Sequence, residues 1–358
     1  MDNNSSQFMK SSLWVTFPLT AVHNGFHILF YKMKLKQIDF SKVLKDDQVY
    51  DHMMGSYEKL GRDWIAHQWN WMNNVYLAFK DHYKYLIVIS LVEKTLQFYD
   101  QMNIQYSYDQ YYSKSFLQIE KFSITELCDK LELPKETVRR KVLELEKLGV
   151  LKRQKKQIII DRTAFNLVKP EQQMKFTSKY IYLVSQILNK HKVYTKKLDA
   201  KFIEQILKKN FSLTWRWFYR MQIPMIIGYH SMFEDIATFH VWGTVAMNQA
   251  FNYKKKFNGS NIQSLSPDYM TFNESLIRGE GNTSGLSAMS ISDMTNIPRA
   301  TVIRKCKYLI KKDLININNK KQYTLTKFNF EKILPYQRQI FRNKAKFLRK
   351  VLNLLTIS

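Results

Sequence analysis

The chain has 358 residues, enough for two or three domains, and its formal net charge of +26 comes from 56 Lys and Arg against 30 Asp and Glu. So large a positive excess favours a polyanionic partner. Two cysteines exclude a disulfide framework, and the apolar runs are too short for a bilayer span. We therefore expect a cytoplasmic protein that does not enter a membrane.

The N-terminal part predicts an arm followed by a helical block. Residues 1–45 show no clear pattern and are interpreted as the arm. The block spans 46–115 and contains two predicted helices, Tyr57 to Phe79 and roughly His82 to Met102. Both predictions rest on apolar residues that recur at spacings of three and four.

A second helical block is predicted at 168–257, with a helical segment from Phe211 to Met221 and a longer segment after Pro224. Residues 258–284 are rich in Asn, Ser and Gly and are interpreted as a flexible linker. The last part, 333–358, predicts a basic amphipathic helix. Packing on the body, pairing of two protomers and contact with a phosphate backbone are all open for this helix.

The segment 116–167 lies between the two blocks and has the order helix, tight turn, helix and short hairpin. Cys128 supplies a small side chain where the two helices cross, and Pro134 suits the start of the second helix. After the second helix the pattern changes from helical to strand periodicity. This order is typical of a winged helix-turn-helix.

The segment 285–332 repeats this pattern, and its helical part is in register with the first copy. The first-copy residues with identical counterparts are Asp129, Pro134, Thr137, Val138, Arg140, Lys141, Leu145 and Lys147; the counterparts are Asp293, Pro298, Thr301, Val302, Arg304, Lys305, Leu309 and Lys311. The fold class that follows is mainly α, with two winged helix-turn-helix units, each with a small β-hairpin wing, alternating with helical blocks.

Charge concentrates on the surface that such units present to a duplex. Residues 285–358 alone hold 16 basic and 3 acidic residues. We expect the second helices to enter a groove, and the hairpin tips to contact the flanking phosphates. The candidate DNA-contacting residues are Lys135, Glu136, Thr137, Arg139, Arg140, Lys141, Lys155 and Lys156 in the first copy, and Arg299, Thr301, Arg304, Lys305, Lys320 and Lys321 in the second.

The run P-K-E-T-V-R-R-K-V-L-E-L-E-K-L-G-V-L, which starts at Pro134, resembles the recognition helix and first wing strand of winged-helix bacterial transcription regulators. The DNA-binding domain of the cyclic-AMP receptor protein family is the most similar, and the MarR and GntR types fit nearly as well. The resemblance covers about 45 residues per copy. It does not extend to a cyclic-nucleotide-binding barrel.

In the cyclic-AMP receptor protein family an Arg, a Glu and a second Arg read base edges. The resemblance implies that these roles fall on Lys135, Glu136 and Arg140 in the first copy. In the second copy they fall on Arg299, Ala300 and Arg304. Ala300 cannot accept a hydrogen bond from a cytosine amino group, so the two heads are expected to differ in specificity.

Other signals in the sequence are weaker. Ser90, Glu93 and Phe98 recur at a spacing of 141, a faint echo between the two helical blocks. His230 and Glu234 stand one helical turn apart, which suits a metal but is more often a structural pair. No catalytic arrangement is apparent, so we expect a protein without enzymatic activity and without a cofactor.

The sequence thus predicts a transcription regulator that binds double-stranded DNA sequence-specifically through two heads and associates with the nucleoid. A replication initiator that binds tandem repeats is an alternative, and so is a chromosome-organising or scaffold protein whose winged helices contact other proteins. A small-molecule effector in the helical region and a homodimer are further open expectations. The operator, the effector, the direction of regulation and the oligomeric state do not follow from the sequence.

Overall fold

The computed structural model describes residues 42–119, 123–154, 157–161, 169–257, 284–326 and 330–358. Helices make up 73% of it, and the strands form small antiparallel sheets, so the prediction of a mainly α protein is confirmed. The predicted arm up to residue 41 and nearly all of the predicted linker lie outside the described residues.

The first half runs from a helical block into strands and short helices. Its elements are α1 (Asp46–Met54), α2 (Tyr57–Phe79), α3 (His82–Gln101), α4 (Tyr108–Tyr112), β1 (Phe116–Ile119), α5 (Ile124–Leu131), α6 (Lys135–Lys147), β2 (Leu151–Gln154) and β3 (Gln157–Asp161). The two helices predicted for the block are confirmed as α2 and α3. Strand β1 was not predicted.

Helix α7 (Glu171–Lys190) ends the first half, and the second half repeats its order of elements without counterparts of α4 and β1 among the described residues. The elements of the second half are α8 (Ala200–Lys209), α9 (Phe211–Phe233), α10 (Ile236–Phe257), α11 (Ala288–Thr295), α12 (Arg299–Lys311), β4 (Ile315–Ile317), β5 (Tyr323–Leu325) and α13 (Phe330–Ile357). The predicted break near Pro224 is wrong, because α9 continues through it. Pro224 is exposed, while Ile223 and Met225 beside it are buried. Their packing holds the helix together against the roughly 3 kcal/mol that an internal proline costs.

The turns after α2 and α9 are built alike. Lys80 and Glu234 end the two helices in the left-handed conformation, with φ of 52° and 58°. The next residue in each case is an aspartate. Asp81 accepts hydrogen bonds from the backbone N–H groups of residues 83 and 84, and Asp235 from that of Thr238. These carboxylates cap the first turns of α3 and α10.

This likeness extends over the whole helical block. Asp46, Tyr57 and His82 begin α1, α2 and α3, and the starts of α8, α9 and α10 follow them at a constant spacing of 154. The downstream helices α5 and α6 recur as α11 and α12 at a spacing of 164. The described chain is therefore a duplication of one arrangement. The echo at a spacing of 141 is wrong, since it pairs Ser90 in the middle of α3 with Ser231 near the end of α9.

Several helices of each half pack on helices of the other half. Helix α3 of the first half packs on α9 of the second, and α10 packs on α2 in the same way. Helix α1 packs on α13, and α8 on α7. These contacts between the halves form reciprocal pairs, as in the isologous interface of a symmetric dimer.

Equivalent residues meet where the halves cross. A small cavity is lined by Trp64, His67, Gln68 and Trp71 of α2 together with their counterparts in the duplication, Phe218, Met221, Gln222 and Met225 of α9. Nζ of Lys344 lies 4.0 Å from the ring centroid of Tyr180, which is its own counterpart in the first half. Contact between equivalent positions, together with the reciprocal packing, indicates a pseudo-twofold axis at this crossing.

One continuous cluster of buried apolar residues extends through both halves and into the hairpins. Across the described ranges, no helix combines the length and the apolar character needed to cross a bilayer.

Candidate nucleic-acid interface

Two modules carry the predicted contacts: the first module is 116–161 and the second module is 284–326. In each, a serine caps the first helix, with Ser123 accepting from the N–H of Glu126 and Ser287 from the N–H of Ser290. Each of these helices ends on a residue in the left-handed conformation, Glu132 with φ of 53° and Asn296 with φ of 57°. Caps and ends occupy equivalent positions in the two modules, so the local turn chemistry is repeated along with the sequence motif.

A hairpin follows the second helix in both modules. Gly149 and Asp313 adopt positive φ, 72° and 57°, and turn the chain from helix into strand. Strands β2 and β3 pair antiparallel, as do β4 and β5. In the first module β1 adds a third strand beside β3. In the second module a single bridge between Leu286 and Tyr323 takes its place.

The second helices, α6 and α12, bury matching stripes and expose matching faces. The buried stripe comprises Val138, Val142 and Leu145 in α6 and Val302, Cys306 and Leu309 in α12. Lys135, Glu136 and Arg140 are exposed, and so are their counterparts Arg299, Ala300 and Arg304, while Thr137 and Thr301 are half-buried. The side chain of Arg140 is 64% exposed. The residues that the family resemblance assigns to base reading therefore share an open face in each module.

Lys141 and Lys305 do not lie on that face. Nζ of Lys141 lies 2.7 Å from a carboxylate oxygen of Asp81, and Nζ of Lys305 lies 2.5 Å from one of Asp235. Their side chains are only 12% and 18% exposed. These lysines join the modules to the capped ends of α3 and α10, and their identity in the two copies reflects this docking.

We call the ion pair of Lys141 with Asp81 the first anchor and the ion pair of Lys305 with Asp235 the second anchor. The pKa shifts are consistent with stable pairing in both. Burial alone would raise the pKa of Asp235, but the hydrogen bond and the charge of Lys305 and the hydrogen bonds from Thr238 outweigh it and hold that pKa below its ordinary value. In the first anchor, burial would lower the pKa of Lys141, but Asp81 and Glu144 raise it above its ordinary value.

The exposed faces differ in one pair of charged residues. Arg139 donates two hydrogen bonds of 2.9 Å to the carboxylate of Glu136 on its own helix. The positions that correspond to this pair in α12 are Ala300 and Ile303. The exchange removes one charge of each sign, so the face of α12 keeps the same net charge as the face of α6 but has no carboxylate that can accept a hydrogen bond.

The hairpin tips are described in the second module only. Lys320 and Lys321 are exposed at the turn between β4 and β5. The side chain of Asn318 accepts from the backbone N–H groups of Lys320 and Gln322 and fixes this turn. Lys155 and Lys156, the predicted tip of the first module, lie outside the described residues.

The two anchors meet at one junction. The hydroxyl of Tyr83, in the first turn of α3, donates to the carboxylate of Asp235 at 3.4 Å and lies 3.1 Å from Nδ1 of His230. Nearby, Nε2 of His82 is 3.2 Å from Nδ1 of His240. Both modules are therefore fixed to adjoining helix ends, which restricts their movement relative to each other.

The remaining sequence candidates have structural partners. Glu234 binds Lys312 at 3.0 Å and His230 binds Tyr83, and the described residues contain no cluster of three metal ligands. In the C-terminal helix, Arg342 and Arg349 pair with Asp47 and Asp46 of α1. This helix packs on the body, in line with one of the three roles left open for it.

No protein family, curated protein or solved structure matched the chain. The comparison that bears on the modules is therefore the internal one, between the two halves.

Proposed function

We propose that the protein is a transcription regulator that binds double-stranded DNA through two winged helices, the first and second modules. Each second helix lies in a major groove, and each hairpin tip contacts the adjoining backbone. The protein acts without catalysis and associates with the nucleoid.

The observation that carries this proposal is the duplicated open face. Arg140 and Arg304 stand at equivalent exposed positions on helices that are otherwise anchored by buried stripes and internal ion pairs. Lys135 and Arg299 extend the same faces toward the helix N-termini. Guanidinium groups in this setting suit guanine edges or phosphates. Lys141 and Lys305 are left out of the proposed contacts, because they serve the docking.

The pseudo-twofold arrangement defines the kind of site. Both modules dock in the same way, through Lys141 on Asp81 and Lys305 on Asp235. Heads related by a twofold axis read half-sites in opposite orientation, whereas tandem repeats require heads related by a translation. The preferred site is thus an inverted repeat with two unequal half-sites, since the faces of α6 and α12 differ.

Selection of bound fragments from genomic DNA with the purified full-length chain tests this function. Inverted motifs are expected upstream of genes, and binding to them should weaken steeply with salt as phosphate contacts are lost. Direct repeats clustered at an origin would instead indicate a replication initiator. Absence of any DNA binding at low salt would refute the proposal and leave the protein-binding alternative.

The junction at Tyr83 and Asp235 adds a second test. Because both heads are fixed to adjoining helix ends, insertion of about half a helical turn, roughly 5 base pairs, between the half-sites should prevent the two heads from binding together. Affinity that tolerates this insertion would show that the heads move independently.

A further inference from the structure

A cavity of about 90 Å³ lies between α2, α10, α13 and the end of β5. Its walls are largely aromatic and include Trp64 and Trp69 of α2, Phe239 and Trp242 of α10, and Phe341 of α13. The ring of Phe239 is stacked on that of Tyr229, with centroids 3.8 Å apart. Walls that are mostly apolar and aromatic, with a few polar groups among them, are typical of small-molecule sites.

The described lining contains no Asp, Glu, Lys or Arg. Two polar groups stand out in it. The amide nitrogen of Gln68 donates to Tyr229 and contacts the sulfur of Met225. His240 is 1% exposed, and its Nδ1 faces His82 at 3.2 Å, while its Nε2 has no hydrogen-bond partner among the described residues. A buried nitrogen without a partner is a ready anchor for one polar group of a ligand.

We propose that this cavity binds a small neutral compound with a single aromatic ring and one hydroxyl group, a phenol. The ring lies among the aromatic walls, and the hydroxyl group hydrogen-bonds to Nε2 of His240. The volume is of the same order as the roughly 150 Å³ cavity that takes up benzene, which limits the ligand to one ring. A carboxylate or an ammonium group finds no counter-charge in the described walls and is excluded.

Only the second half has the buried imidazole that would bind the hydroxyl group. A cavity of about 430 Å³ in the first half uses Phe218, Tyr85 and Gln173, the counterparts of Trp64, Phe239 and Gln337. The position that corresponds to His240 is Leu86, and this larger cavity has no histidine in its described walls, where the polar side chains are those of Asn74, Lys169, Gln172 and Gln173. We therefore expect one phenol per chain.

The cavity also touches the second module. Leu325 and Thr326 at the end of β5 belong to its walls, and so does α10, on which this module docks. A bound ring adds contacts between β5 and the helical block. Any consequent change in DNA affinity rests on the proposed function, whereas ligand binding itself does not.

Gly243 offers a way to fill the cavity. It lines the cavity, and a Cβ added to it would meet no atom within 4 Å. Gly243→Leu therefore places a side chain in open space. Gly228→Ala is the matched control, since Gly228 lies in a neighbouring helix outside the cavity, where a Cβ would make only an ordinary contact with Ile340 at 3.8 Å.

Titration calorimetry with phenol on the full chain tests the proposal. We expect one site with a dissociation constant between about micromolar and millimolar, as befits so small a ligand. Gly243→Leu should weaken binding by about tenfold or more, because it occupies the space of the ring, and Gly228→Ala should leave binding unchanged. His240→Leu, which copies the first half, should weaken phenol but not benzene.

Three results would overturn the site: no binding of phenol to the native chain, binding that both Gly243→Leu and His240→Leu leave unchanged, or benzoate bound as tightly as phenol. A separate DNA titration with and without phenol tests the regulatory step. Phenol binding without an effect on DNA affinity refutes that step alone. Absence of DNA binding in a chain that binds phenol counts against the proposed function and leaves the cavity assignment standing.

Discussion

The two modules are alike where they touch the rest of the protein and differ where they face solvent. Lys141 and Lys305 form the same ion pair with a helix-capping aspartate, and the buried stripes of α6 and α12 coincide. On the open faces, Glu136 is replaced by Ala300 and Arg139 by Ile303. Docking tolerates little change because it is buried and paired, whereas the open face is free to vary with the surface that it meets.

This contrast separates two kinds of basic residue that look the same in the sequence. A lysine on the docking side stabilises the fold, and an arginine on the open face is available for a partner. Substitutions on the docking side should therefore change the stability of the protein, and substitutions on the open face should change its binding to DNA.

The largest effect is expected from the open face. Arg140→Ala and Arg304→Ala should each cost about 1–3 kcal/mol of specific DNA binding, and the two losses should add, because the residues serve different half-sites. Fluorescence anisotropy on a selected inverted repeat measures the loss. The melting temperature should not change, since both side chains are exposed.

Lys201→Ala is the control for this pair of substitutions. Lys201 is an exposed cation on α8, outside both modules, so its removal changes the net charge by the same amount. If the control weakens binding as much as Arg304→Ala does, the effect is one of general charge and the open face has no special role.

The docking side should show the opposite pattern. Asp81→Ala and Asp235→Ala each remove a helix cap and the carboxylate that pairs with a mostly buried lysine, which should lower the free energy of unfolding by about 1–3 kcal/mol. The loss should be smaller for Asp81→Ala, because Lys141 keeps its ion pair with Glu144. Urea denaturation measures this. Asp→Asn at either site retains most of the cap but loses the charge, and it should cost less.

The stability of the Asp235 variants should also depend on pH. Because the pKa of Asp235 is held below its ordinary value in the folded chain, the pairing stabilises the protein fully at neutral pH. The contribution is lost as the pH falls through that lowered pKa. The difference in the free energy of unfolding between the native chain and Asp235→Asn should therefore become smaller in acid. A difference that stays constant down to low pH would contradict the assigned ion pair.

Some parts of the fold could be predicted from the sequence and others could not. The helices of the first block follow from apolar periodicity. The helices and hairpins of the modules follow from the repeated pattern, in which Pro134 and Pro298 start the second helices and the buried stripes recur. The duplication of the helical block was indicated only by the echo at a spacing of 141, and the true spacing is 154. Few identities survive between its two copies, among them Gln68 with Gln222, Phe79 with Phe233 and Asp81 with Asp235.

Packing explains this loss of signal. Buried helix positions need apolar side chains of suitable summed volume and tolerate exchange among them, so Trp64 can correspond to Phe218.

The docking role of Lys141 could not be predicted from the sequence either. Its partner Asp81 lies far earlier in the chain, before α3, and no local pattern connects the two. Helical periodicity placed this lysine beside the arginines, but contact with α3 determines what it does.

The pseudo-twofold axis is a third region of interest, because Lys344 of the second half meets its counterpart Tyr180 of the first half there. Lys344 lies there among Trp64 and Tyr180, its Nζ 3.5 Å from the ring centroid of Trp64. A cation–π contact is worth up to about 2 kcal/mol, less than the cost of burying an ammonium group without hydrogen-bond partners. Burial accordingly holds the pKa of Lys344 well below its ordinary value.

Lys344→Met should therefore raise the free energy of unfolding at neutral pH by about 1–2 kcal/mol. The unfolded lysine binds a proton that the folded one lacks, so stability of the native chain rises with pH between the two pKa values. Methionine removes this slope. Urea denaturation at several pH values compares the two chains. A lower stability of the variant would show that the buried amine makes a favourable contact.

The smallest expected effect on stability comes from an exchange between the open faces. Glu136→Ala gives the first module the residue of the second, and Ala300→Glu does the reverse. Both positions are exposed, and the pair of Glu136 with Arg139 lies in solvent, where such pairs contribute little to stability. The melting temperature should therefore stay the same.

The DNA preference should change, because a carboxylate can accept a hydrogen bond from a cytosine amino group and alanine cannot. Selection from a randomised inverted repeat should show Glu136→Ala losing a cytosine preference in the first half-site only, which makes the two half-sites more alike. If instead both half-sites change together, the heads do not read DNA separately, and the difference between their faces has no bearing on specificity.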